Sequence, residues 1–136
     1  MSVAEQKQMI VDFYAALDRG DYDTAANMCH KDFVFYNQID TPRPGVEGFI
    51  EAEKKHLDAF KGHKMKTETV GEGDRVVAYV EFEGPHTGEF YGVEPTGRTL
   101  RMSMCNMFTF KDGKIIEKRA HYDRYDHLQQ LGAIPQ

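Results

Sequence analysis

Apolar residues recur at helical spacing through the first 60 positions and alternate like strands through most of the remainder. Ser2 and Glu5 make an S-x-x-E capping box, and Ile10, Phe13, Tyr14 and Leu17 follow on one helical face. Gly20 ends this first helix. A short second helix is expected over YDTAANMCH (22–30), then a strand over DFVFYNQ (32–38), which TPRPG breaks. A third helix from about Val46 to Phe60 places Phe49, Ile50, Leu57 and Phe60 inward and Glu51, Lys54, Lys55 and Asp58 toward water.

The second half predicts strands at KMKTETVGEG, DRVVAYVEFEG, RTLRMSMCNMFTF and IIEKRAHYD, with a glycine-rich bend at HTGEFYGVEPTG. Asp112-Gly113 is the strongest hairpin signal, since it supplies the positive φ a tight turn needs. Leu128 and Leu131 suggest a last helical turn, stopped by Gly132 and Pro135. Helices first and a long sheet after them predict an α+β domain spanning 1–136, in which a curved antiparallel sheet wraps three N-terminal helices. Such a cone has an open end, and inward side chains near it line an internal pocket.

Composition narrows the functions. The chain is 40% hydrophobic and 12% aromatic, which suits a folded globule with a core. Its net charge of −5, with no basic run, argues against nucleic acid as a partner. No stretch has the length and apolarity of a membrane span or the layout of a signal peptide, so a cytoplasmic location is expected. Cys29 and Cys105 stand in unrelated contexts and read as reduced thiols.

Strand alternation selects a candidate site. In the last strand Arg119, His121 and Asp123 share a face, opposite Lys118, Ala120 and Tyr122. In the long strand before it, Leu100, Met102, Met104, Asn106, Phe108 and Phe110 share the more apolar face. Phe33, Phe35 and Asn37 align in the early strand. The expected inner constellation is Asn37, Asn106, Arg119, His121 and Asp123, walled by Phe13, Met102, Met104 and Phe108, with Tyr14 near enough to contribute a hydroxyl.

The succession FYAALDRGDYDTA, DFVFYN, GDRVVAYVEFEGPHTGEFYGVEPTGR, FKDGKIIE and D-x-x-x-x-L-x-Q-L-G resembles the SnoaL-like polyketide cyclases. These belong to the cone-shaped superfamily of nuclear transport factor two and ketosteroid isomerase. The resemblance implies a cystatin-like α+β cone, a homodimer, and a pocket that works without a cofactor. It places the acid/base carboxylate on Asp123, and the His of the family's G-T-H-T-G segment on His86 near the entrance. Arg119 stands where the family usually has Trp. The isomerases' Asp base and Asp oxyanion donor fall on Asn37 and Asn106, and their oxyanion Tyr near Phe13, which argues against ketosteroid isomerisation by their route.

The chemistry this implies is an intramolecular aldol cyclisation, or an isomerisation, of an apolar carbonyl compound, placing the enzyme among lyases or isomerases. Asp123 would move the proton, assisted by His121, while Asn37 and Asn106 orient the enolate oxygen. Arg119 would either pair with Asp123 or hold an anionic substrate. A non-catalytic small-molecule-binding cone is the alternative. An epoxide hydrolase of limonene type is a further one, whose Asp–Arg–Asp set lacks its second acid here. HYDRYDH places only two ligands on one face, so no metal is expected. His30, His56 and His63 read as surface residues, and Asp126 and His127 as a solvated end. The catalytic expectation requires the Asp123 carboxylate to turn inward.

Overall fold

A computed structural model describes residues 1–134 apart from 37, 38 and 40. The elements run α1 (Val3–Asp18), α2 (Tyr22–Asn27), β1 (Cys29–Tyr36), β2 (Pro42–Pro44), α3 (Val46–Asp58), β3 (Lys64–Glu72), β4 (Arg75–Pro85), β5 (Thr99–Lys111), β6 (Lys114–His121) and α4 (Arg124–Gln130). The capping box at α1 forms as its residues require: Glu5 N–H donates to Ser2 Oγ (3.1 Å) and Ser2 N–H to Glu5 Oε1 (2.9 Å). The second helix stops three residues before its expected end, and Cys29 and His30 open β1 instead. The TPRPG break carries a short edge strand, where proline's missing donor is tolerated.

The six described strands form a curved, unclosed mixed sheet in the order β2-β1-β6-β5-β4-β3. Every pairing is antiparallel except β1 with β6, which is parallel. That one pair departs from an all-antiparallel expectation, because the chain crosses from β1 through β2, α3 and three further strands before returning beside it. At the β5–β6 hairpin Asp112 (φ 53) and Gly113 (φ 74) both adopt the left-handed region that Asp-Gly accepts.

The concave face packs on the helices. Phe13 stacks on Phe49 with centroids 6.1 Å apart and meets Phe108 edge-on at 5.9 Å. Val76, Ala78, Val80, Phe33 and Ile115 close around them, all buried. A second cluster of Phe60, Phe82, Phe90, Leu100 and Leu131 fills the other end. Among the described residues no helix is long and apolar enough to cross a membrane.

Asp123 does not belong to the concave face. It is the N-cap of α4, and its Oδ1 accepts the backbone N–H of Asp126 at 3.0 Å from an exposed position. The strand ends at His121, so alternation no longer governs where residue 123 points. Asp123→Ala should therefore lower unfolding stability by about 1 kcal/mol. Asp123→Asn should leave the urea midpoint near that of the wild type, since asparagine caps equally well.

Candidate functional site

The inner face of β6 is decided by one extra residue. Between Thr109 and Phe110 the partner on β6 jumps from Glu117 to Ile115, leaving Ile116 as a bulge. Counting by twos from buried Ile115 brings Arg119 and His121 inward. The bulge reverses that parity, so Lys118 pairs with Phe108 and Ala120 with Asn106, on the concave side. Lys118 is 3% exposed.

Helix α3 supplies the partner. Phe49, Glu53, His56, Leu57 and Phe60 recur at i, i+4, i+7, i+8 and i+11, one stripe facing the sheet. Lys118 Nζ lies 3.3 Å from Glu53 Oε1. The ammonium also sits over four rings, with centroids at 4.9 Å (Phe49), 5.7 Å (Phe35), 5.8 Å (Phe108) and 5.9 Å (Tyr14). Burial pushes the Lys118 pKa down, but Glu53 and Tyr14 outweigh it, and the net shift is upward. Lys118 is thus a fixed cation, not a free amine, at neutral pH.

Beside it, Asn106 Nδ2 donates to the Tyr14 hydroxyl at 2.7 Å, which leaves the phenolic proton for another acceptor. Asn106 is 1% exposed, and its Oδ1 has no partner among the described residues. Burial raises the Tyr14 pKa against the pull of Lys118, keeping the phenol protonated.

These groups line a hollow of ≈ 70 Å³. Its walls are Leu57, Phe60, Met65, Phe90, Met102 and Met104, and Tyr91, Tyr122 and His127 line it as well. Two imidazoles face it. Burial pushes the His56 pKa down, against the upward pull of Glu53. Burial does the same at His127, opposed by Asp126 and Asp123. Both rings are neutral near pH 7.

The expected residues divide. Tyr14, Asn106, Met102 and Met104 line the hollow. Phe13 and Phe108 are fully buried behind them in the core. Asn37 lies outside the described residues. Four placements are corrected. His121 is exposed, paired in register with Cys105 on the convex side. Arg119 also faces outward, its Nε donating to Glu117 Oε1 at 2.8 Å and its guanidinium stacked 4.0 Å over Tyr36, so it neither pairs with Asp123 nor lines the hollow. Asp123 caps α4. His86 is fully buried rather than at an entrance: its Nδ1 accepts the Thr96 N–H (3.1 Å), and its ring stacks on Phe60.

The sequence left Glu53 unassigned, set Lys118 on the opposite face, and read His56 as a surface residue and His127 as a solvated end; all four line the hollow, and His30, also read as surface, is buried. For Glu53 and His56 the signal was present in the i, i+4, i+7 stripe with Phe49. His127 shares a face with Leu131 four residues on, and both are buried. Among the described residues no group of three or more His, Cys, Asp and Glu converges as metal ligands would.

The α+β cone has counterparts among known proteins. The chain belongs to the SnoaL-like polyketide cyclase family, whose model matches residues 8–131. It is 26% identical over 141 residues to AcmA, the aklanonic acid methyl ester cyclase of Streptomyces galilaeus, covering 96% of this chain and 92% of that one. AclR of the same organism, a candidate hydroxylase, superposes with a TM-score of 0.88 at 27% identity over 98% of this chain and 100% of AclR. IdmH of Streptomyces antibioticus, a candidate polyketide cyclase, gives 0.78 at 30% identity over 92% and 96%.

Lys118→Met with Glu53 retained should cost about 3 kcal/mol in urea unfolding, because a part-buried carboxylate loses its counter-ion. The double variant Lys118→Met/Glu53→Leu should recover most of that loss. The two depressed histidines add a pH dependence. Their contribution to stability is complete above the ordinary value of 6.5 and is lost as pH falls from there through their folded values. The reason is that the unfolded chain takes up the proton first. Unfolding measured from pH 7.5 to 5 (a window of about two units around the usual His pKa) should show this fall, and His56→Gln/His127→Gln should flatten it.

Proposed function

We propose that the protein is an acid/base enzyme, requiring no cofactor, that closes or isomerises an apolar carbonyl compound. The observation that carries this is the meeting of a buried ammonium with a phenol whose proton is unspent. Lys118 and Tyr14 supply two donors to an oxygen that becomes negative, in an apolar space where such donors act most strongly. Asn106 holds the Tyr14 hydroxyl in line.

The acid/base group we assign is His56. Its imidazole is neutral near pH 7 and lines the same hollow. It takes the proton from the carbon between two carbonyls. The enolate oxygen is held by Lys118 and Tyr14, and the carbon attacks a second carbonyl of the same molecule. The imidazolium then returns the proton to the new alkoxide. Glu53, one turn before His56, steadies the imidazolium while it exists. This assignment replaces Asp123 and His121 as the proton-moving pair. An Asp–Arg–Asp epoxide mechanism finds no aspartate among the described lining residues. Binding without chemistry has one observation in its favour, since Lys118 is already neutralised by Glu53. The homodimer implied by the resemblance belongs to the same proposal, and light scattering tests it.

The relative's substrate supplies a test compound. With aklanonic acid methyl ester in D2O, the protein should speed deuterium incorporation at the acidic carbon, followed by NMR. His56→Gln should slow it by ~10²–10⁴-fold, whereas Asp123→Asn should not. An unaffected His56→Gln, or an inactive but folded Asp123→Asn, would return the chemistry to the end of β6.

A further inference from the structure

The hollow carries polar groups at two levels. The inner level is Lys118, Glu53, Tyr14 and Asn106. The outer level lies where β6 runs on into α4. There the Tyr122 hydroxyl is 2.6 Å from that of Tyr91, and the Arg124 guanidinium stacks 4.1 Å over the Tyr91 ring. His127 lies flat on Tyr122, with centroids 5.6 Å apart and planes 7° off parallel. It is 2% exposed, and its Nδ1 has no partner among the described residues. Between the levels the wall is Ala120, Leu57, Phe60 and Phe90. The small Ala120 leaves room for a flat molecule.

The outer level is rich in donors, and the carboxylates of Asp123 and Asp126 act on His127 from nearby. Within the Tyr91–Tyr122 pair one hydroxyl donates to the other, so one phenolic proton is left over. Arg124 is exposed at the rim, outside the lining of the hollow, and carries five N–H donors. Among the described residues no carboxylate lies within ion-pairing distance of it. Tyr91 reaches this place from a left-handed backbone, φ 49, which a bulky side chain rarely adopts. Its ring is held there by Phe90 at 4.3 Å and His56 at 5.4 Å. Strain of that kind is kept where the side chain's position matters.

We propose that Arg124, with the Tyr91–Tyr122 hydroxyl pair and His127, binds a carboxylate of the ligand whose carbonyl or enol end meets Lys118 and Tyr14. The ligand class is a flat, apolar keto or hydroxy acid, presented as the free acid. The inner half of this assignment rests on the function proposed above; the outer half stands without it.

A matched set of naphthoates separates the two. The probe is 6-hydroxy-2-naphthoic acid, a stable enol mimic. Its methyl ester and 2-naphthoic acid serve as controls. The chain has no tryptophan, so naphthyl emission reports binding without indole background. The hydroxy acid should bind wild-type protein about tenfold or more tightly than its ester, a charge-assisted contact's worth. Arg124→Met should bring the acid down to the ester's affinity while the ester is unchanged. 2-Naphthoic acid should bind more weakly than the hydroxy acid yet keep its dependence on Arg124. Equal affinity for acid and ester, no binding of the acid, or an acid preference that survives Arg124→Met would overturn the carboxylate site. Equal affinity of the two acids, with Arg124 dependence intact, would overturn the inner-end reading alone.

Discussion

A lysine ammonium held inside an aromatic cone governs this molecule. Removing Lys118 from water is costly, and it is tolerated because three compensations converge on one nitrogen. Glu53 supplies the opposite charge from α3, four aromatic rings turn their faces or edges toward it, and Tyr14 stands close by. They come from four elements, and α1, α3, β1 and β5 all meet at that point. The polar end of the hollow and the packing of the helices on the sheet are therefore one arrangement. A helix that slipped along the sheet would leave a buried charge alone.

The same arrangement explains why the hollow stays open. Asn106 and Tyr14 satisfy one another but leave an acceptor and a proton unspent, and His127 keeps an unpartnered nitrogen. Buried polar atoms without partners are unfavourable in an empty apolar space and become favourable when water or a ligand meets them. Methionines at 65, 102 and 104 form much of the apolar wall. Their unbranched side chains adapt their shape at little cost, so the small resting volume does not define the size of molecule that enters.

The helices, the capping box, the Asp-Gly hairpin and the inward row Met102, Met104, Asn106 and Phe108 were legible because each depends on neighbours in the chain. The site on β6 was not. One residue beyond strict alternation, Ile116, moves the inward face from Arg119 and His121 to Lys118 and Ala120, and nothing in IIEKRAHYD announces a bulge. Composition misled in the same direction, since a lysine is the residue least expected in a core. Asp123 followed a different rule: once the strand ends, its carboxylate serves the first turn of α4 rather than the hollow.

By itself the chain's order of apolar and polar residues determined that three helices would cover a long sheet and which side of β5 would be greasy. Those properties are set within a few residues, by periods of 3.6 and 2. Which titratable groups enter the cone was decided only in three dimensions. It depends on the bulge in the β5–β6 hairpin and on the stripe α3 presents across it, where Glu53 and Lys118, 65 residues apart in the chain, meet.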